Sequence, residues 1–206
     1  MKSTTDNLRG NKMAAQSWTY ESLAQADSST LEQVLLTGTA PDPEQLNGYI
    51  YCGWNHEWVG HLSGKKFKKG FWKKDGRNFG YNEIVIQDYQ EYRGAWNVRM
   101  WRGRPIQLGY FRTSLIAQEP PQPLYAPYQH LGHFNYNIDI NTGINLPFRF
   151  IRDMVVLPNA GDHSLMLCKA YLQGFHWLNV FYCYFLLGHR QPIEYLPYWA
   201  QETERV

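Results

Sequence analysis

From Leu46 onward the chain falls into short stretches of β-branched and aromatic residues separated by Gly, Pro, Asn and Asp, and this rhythm limits the fold more than any other feature. About eight or nine such stretches recur, at 48–54, 66–72, 82–89, 95–101, 106–115, 132–140, 152–157, 164–172 and 177–187. The hinges between them carry turn chemistry: Lys74-Asp75-Gly76-Arg77, Arg102-Gly103-Arg104-Pro105, Asn141-Thr142-Gly143 and Asn159-Ala160-Gly161-Asp162. Connections this short leave no room for crossover helices. A parallel βαβ sheet is therefore excluded, and the fold class is mainly β, an antiparallel sandwich or barrel.

The residues ahead of the strands read as helical. Ser29-Thr30-Leu31-Glu32 has the spacing of a capping box, followed by Val34, Leu35 and Leu36 and closed by Gly38, which predicts a short helix over 30–37. An earlier helical turn fits 18–26. Pro41 and Pro43 then forbid a continuous helix. Further on, Asn145-Leu146-Pro147 predicts one helical turn over 148–151. The segment 117–129 contains Pro120, Pro121, Pro123 and Pro127 and reads as a surface loop or lid. The chain thus divides into a flexible tail (1–16), an N-terminal helical segment (17–45), one barrel domain (46–190) and a C-terminal extension (191–206).

Alternation of side chains assigns faces. In 132–140, Phe134, Tyr136, Ile138 and Ile140 oppose His133, Asn135, Asn137 and Asp139; in 95–101, Trp96, Val98 and Met100 oppose Asn97, Arg99 and Trp101. The last stretch is apolar on both faces, with Phe181, Cys183 and Phe185 on one and Val180, Tyr182, Tyr184 and Leu186 on the other. Such a strand needs cover on both sides, which a barrel with the 30–36 helix packed on its outer wall provides. Aromatic residues are numerous, with 8 Trp, 15 Tyr and 10 Phe. A large apolar body with a polar tip suits Tyr and Trp to a cavity wall. The expected ligand-lining set is Tyr51, Trp54, Trp96, Trp101, Tyr136, Phe181, Tyr182 and Tyr184.

A short helix, then a first strand opening Gly48-Tyr49-Ile50-Tyr51 with Gly53-Trp54, then a meander, resembles the lipocalin or calycin-like β-barrels over roughly residues 46–190. The likeness is one of pattern, because the Gly-x-Trp of those proteins' first strand appears here as Gly48-x-Ile50 with Trp54 displaced. It implies a hydrophobic small molecule held in the barrel, and it transfers no functional residue.

Charged residues on the strands of a small barrel are costly to bury unless paired, so those within strands or at their ends are candidates for chemistry. His163, which follows Asp162 out of a turn, is the expected general acid or base, with Asp139, Tyr171 and Arg99 as its candidate partners. The run Lys65 to Lys74 interleaves six lysines with three aromatics. It fits a lysine-protected strand edge, an anionic docking surface or a nucleic-acid grip. The overall balance of 20 basic to 18 acidic residues gives no reason to expect nucleic acid as a partner.

The seven histidines form no HExxH or other ligand-like set, and Cys52, Cys168 and Cys183 are too widely spaced for a CxxC pair, so no metal site is expected and the cysteines read as buried thiols. Nucleophile-elbow, P-loop and dinucleotide signatures are absent, and no cofactor is called for. The most apolar run, 177–188, falls well short of the roughly 20 residues of a membrane span. No secretory signal pattern opens the sequence, so a cytoplasmic location is the default expectation, with oligomerisation open. The expected function is enclosure of a polyketide-, terpenoid- or lipid-like molecule, with cyclisation or isomerisation of it by orientation plus acid–base help. A non-catalytic carrier, or an interaction module using the 65–74 hairpin, stands as the alternative.

Overall fold

The structure is a computed structural model that describes residues 17–56, 64–88, 90–174, 178–197 and 200. The expected tail at 1–16 and Trp177 lie outside the described residues. Ten strands follow in order: β1 (Tyr49–Asn55), β2 (Lys66–Lys74), β3 (Arg77–Ile84), β4 (Met100–Trp101), β5 (Arg104–Pro105), β6 (Gln107–Leu115), β7 (Gly132–Asn135), β8 (Ile151–Val156), β9 (Met166–Gln173) and β10 (Asn179–Pro192). Eight of them close into a barrel in the order β1-β10-β9-β8-β7-β6-β3-β2, every pair antiparallel. The mainly β, antiparallel class is as the turn spacing predicts, and of the sandwich and the barrel it is the barrel, as the two-faced last strand favours.

Turn chemistry sets the register. At the β2–β3 hairpin Asp75 and Gly76 both have positive φ, 50° and 72°, which matches the twist of the flanking strands and fixes Lys74 opposite Arg77. Three short helices precede the barrel: α1 (Tyr20–Ala24), α2 (Ser28–Thr37) and α3 (Pro43–Leu46). The cap of α2 is not the Ser29–Glu32 box. Asp27 precedes the helix, and its carboxylate accepts the Thr30 N–H at 2.7 Å, so α2 starts at Ser28. Leu31, Val34 and Leu35 bury the inner stripe of α2 in one cluster with Met154, Val156, Leu165 and Leu167 of the barrel wall. The expected helix on the outer wall is there.

Inside the barrel a second cluster forms from Tyr51, Phe71, Phe111, Phe134, Met166, Cys168, Cys183, Phe185 and their neighbours. Leu46 of α3 joins it at one end and plugs that end. The interior is crowded enough to require glycine at two wall positions. A Cβ on Gly53 would lie 2.3 Å from the Phe67 ring, and one on Gly80 would lie 2.0 Å from the Phe111 ring. The three cysteines are buried and unbridged. Burial pushes the Cys52 thiol up to about 11 and holds that of Cys168 well above its ordinary value.

Several local expectations are corrected. The stretch 95–101 is not a barrel strand: only Met100–Trp101 pairs, with Arg104–Pro105, in a two-residue ribbon, and Val98 makes one isolated bridge to Val85. The stretch 132–140 stops as a strand at Asn135, because Asn141 turns the chain back with its side-chain amide bonded to the carbonyls of Tyr110 and Tyr136. The expected turn at 148–151 is a longer 3-10 helix, Gly143–Phe150, that contains Pro147. The proline-rich segment is no lid over the barrel mouth. Two 3-10 helices, Ile116–Gln118 and Pro123–Tyr128, strap it to the outer wall, where Leu124, Tyr125 and Tyr128 are buried. Its anchor is Glu119, which accepts from Arg112 at 2.8 Å, Ser114 at 2.6 Å and Asn135 at 3.2 Å. Finally, β2 is not a sheet edge, since β1 and β3 flank it and the closed barrel leaves none.

Candidate functional site

Opposite the α3 plug the barrel is open. A cavity of about 510 Å3 runs in from the ends of β1, β3, β7 and β9 and the starts of β2, β6, β8 and β10, with Phe67, Leu108, Phe148, Ile151, Leu172 and Tyr182 among its walls. Pro147 and Phe148 of the 3-10 helix stand at its rim. Most of this lining is apolar, as is usual for small-molecule sites.

The floor is different. Alternation along β2 turns Phe67, Lys69 and Phe71 inward, and alternation along β8 turns Ile151, Asp153 and Val155 inward. Lys69 and Asp153 consequently meet inside, each with only 2% of its side chain exposed and with Nζ and Oδ2 3.5 Å apart. Tyr136, just beyond β7, lies between them: Lys69 donates to its hydroxyl, and that hydroxyl donates to Asp153 Oδ2 at 3.2 Å. Asn82 Nδ2 approaches the same hydroxyl at 3.5 Å while donating to the Gly109 carbonyl at 2.9 Å. Asp153 Oδ1 is buried with no hydrogen-bond partner among the described residues.

Aromatic rings enclose the ammonium position. Lys69 Nζ lies 4.5 Å from the centre of Phe111, 5.1 Å from Tyr136, 5.2 Å from Phe185 and 5.5 Å from Phe134. These contacts and one carboxylate replace a full hydration shell. Burial lowers the affinity of Lys69 for its proton, opposed by Asp153; burial raises the Asp153 carboxyl, opposed by Lys69 and Tyr136. Tyr136 is raised well above its ordinary value, by burial first and by the Asp153 charge second. All three groups are pushed toward their uncharged forms. The site therefore offers a donor, an acceptor and an amine within one hydrogen-bonded set.

The residues expected from sequence fall in several places. Tyr136 and Tyr182 line this cavity. Tyr51 is interior but at the plugged end, where its hydroxyl donates to the His163 carbonyl at 2.9 Å. Trp54 and Tyr184 belong to the outer cluster, and Phe181 packs on the outside against Tyr171 and Tyr184. Trp96 caps the wall from outside, donating to the Gly53 carbonyl at 3.0 Å, and Trp101 is 67% exposed on the β4–β5 ribbon.

The four residues expected to act on a substrate are not brought together. His163 sits in an exposed turn and accepts the Asp42 N–H at 3.0 Å, which ties α3 to the barrel. Asp139 is fully exposed, 3.6 Å from Arg149. Arg99 is exposed near the ribbon, where its backbone bridges Ile84 and Ile106. Tyr171 faces the outer wall with its hydroxyl 3.1 Å from that of Tyr128. Lys69, Asp153 and Asn82 were not among the expected residues, although a charged residue between two inward apolar neighbours in Phe67-x-Lys69-x-Phe71 and Ile151-x-Asp153-x-Val155 is a visible signal.

No family model matches the sequence, and neither a curated protein nor a solved structure matches the chain.

Proposed function

We infer that this chain is a calycin-like barrel that binds a mainly apolar small molecule bearing an oxygen at one end. Its body lies along Phe67, Leu108, Phe148, Ile151 and Tyr182, and its oxygen meets Lys69, Tyr136 and Asp153. The observation that carries this reading is the unmatched oxygen of Asp153 beside a lysine at the floor of an open, apolar-walled cavity. A carboxylate oxygen buried without a partner costs about 1–3 kcal/mol, and a ligand hydroxyl or a water delivered with the ligand would satisfy it. An apolar pair of the same shape would fill the floor at lower cost, so the polar floor serves something other than packing.

Extraction of the purified protein followed by mass spectrometry is the direct test. A co-purifying apolar molecule, or saturable quenching of tryptophan fluorescence by 2-naphthylmethanol that Lys69→Met weakens, is the expected result. Absence of both overturns the binding reading. An isomerase or cyclase acting in the same cavity is the second reading, and the juxtaposition of three titratable groups at the floor favours it. Under that reading Asp153→Asn retains binding and loses turnover.

A further inference from the structure

The lysines that the fold buries are not equivalent. Lys66, at the cavity mouth, and Lys169, on the outer wall, each reach a carboxylate closely, Asp88 at 2.6 Å and Glu32 at 2.8 Å. Lys69 has its carboxylate at 3.5 Å, is ringed by phenylalanines, and lines the cavity. Desolvation of an amine in an apolar pocket is one of the ways a lysine is made nucleophilic.

We propose that Lys69 captures an aldehyde or ketone as a Schiff base, so that the molecule held in the barrel is a carbonyl compound with an apolar body. This rests on the binding reading above and narrows it to one class of ligand. In the first step the Lys69 lone pair forms the N–C bond while the carbonyl π electrons move to oxygen. A proton passes from nitrogen to that oxygen through the Tyr136 hydroxyl, giving a carbinolamine. In the second step the nitrogen lone pair forms C=N as the C–O bond breaks, and the protonated Asp153 carboxyl delivers the proton with which the hydroxyl leaves as water. The products are a protonated imine, an Asp153 carboxylate beside it as counter-ion, and one water, with no oxidant or reductant consumed. Burial supports the starting state, since it favours an uncharged Lys69 and a protonated Asp153. The Asp153 oxygen that lacks a partner is the second acceptor that the leaving water or the iminium N–H would use.

The test is reductive trapping near neutral pH. Full-length protein is incubated with limiting 2-naphthaldehyde and cyanoborohydride, and the adduct, the mass of the aldehyde less one oxygen atom, is located by peptide mapping. The expected result is a single adduct on Lys69 that forms well ahead of any on exposed Lys73 or half-buried Lys74, and that excess 2-naphthylmethanol suppresses. Tyr136→Phe should slow trapping by about 10²-fold even at saturating 2-naphthaldehyde, where weaker binding no longer sets the rate, as expected for loss of a proton-transferring group. Adducts scattered over exposed lysines with Lys69 unmodified, while 2-naphthylmethanol still binds, overturn the Schiff base and leave the binding reading standing. Failure of both ligands to bind overturns both. Because the wild-type map alone decides the outcome, the proposal does not depend on a lysine variant folding.

Discussion

Lys169 and Lys69 lie on strands of one barrel and each faces a carboxylate, Glu32 in the first case and Asp153 in the second, but the wall between them separates two kinds of construction. Outside, Lys169 donates to Glu32 at 2.8 Å and to the Tyr128 hydroxyl at 2.9 Å, and Glu32 also accepts from Tyr128 and Tyr184. Burial disfavours charge on both, yet these bonds outweigh it: Lys169 is raised and Glu32 lowered. Inside, the lysine–carboxylate separation is longer, 3.5 Å, one carboxylate oxygen is unmatched, and burial wins, so Lys69 is lowered and Asp153 raised. The outer set clamps α2 to β9 and β10. The inner set leaves one carboxylate oxygen buried without a partner among the described residues, at a cost in folding free energy.

The strongest test of this contrast replaces both members of each pair with apolar residues. Lys69→Met with Asp153→Leu should raise unfolding stability by about 1–4 kcal/mol and abolish ligand binding. Lys169→Met with Glu32→Leu should lower stability by about 1–2 kcal/mol, a reduced figure because 31% of the Glu32 side chain is exposed and because Tyr128 and Tyr184 lose partners. Urea titration measures both, and an inner double variant less stable than wild type would break the distinction. Gly80→Ala probes the packing around the inner lysine. Its added methyl must displace the Phe111 ring that lies over Lys69, with an expected loss of about 1–3 kcal/mol and a change in trapping rate at Lys69.

The pairs should also differ in pH dependence. Glu32, lowered in the fold, contributes stability above the unfolded carboxylate value of about 4.3 and loses it as pH falls through its folded value; Glu32→Gln should remove that acid-side loss. Lys69 binds its proton less readily folded than unfolded. The unfolded chain therefore holds more protons between its lowered value and about 10.4, and stability should climb with pH across that window. Raised Asp153 acts oppositely at lower pH, with stability falling as pH rises from about 3.9 toward its folded value. Lys69→Met should flatten the alkaline climb, read from urea midpoints along a pH series. The smallest effect separates two adjacent rings: Tyr182→Trp should report 2-naphthylmethanol by fluorescence, whereas Phe181→Trp on the outer face should not.

That last pair shows where the sequence stopped being readable. The number and order of the barrel strands follow from turn residues such as Asp75-Gly76, whose backbone conformations are local properties. The face of each residue in β10 does not. Register slips between Phe181 and Cys183, so Phe181 pairs with Tyr171 while Cys183 pairs with Ala170. Simple alternation joins Phe181 to Cys183; the bulge sends one outside and the other inside, and with both faces apolar the composition carries no trace of it. Lys69 was hidden for the opposite reason. It stands among five other lysines that read collectively as a solvated run, and only its neighbours Phe67 and Phe71 mark it as inward. Asp153 carries the same mark without the camouflage. At 95–101 the alternation is sound, but the partner strand extends only to Ile84, so little pairing is available.

Seven of the eight pairings in the barrel join strands that follow one another around it in chain order, while the eighth joins Tyr49 to Pro192 across almost the whole described chain. Contacts at that separation form late, because the loop-closure entropy must be met before they are rewarded. Until this seam closes, water reaches Lys69 and Asp153, and they behave as an ordinary surface cation and anion. The desolvation of the amine is then a property of the closed barrel and not of the strand that carries it, so a chain frayed at this seam would lose it.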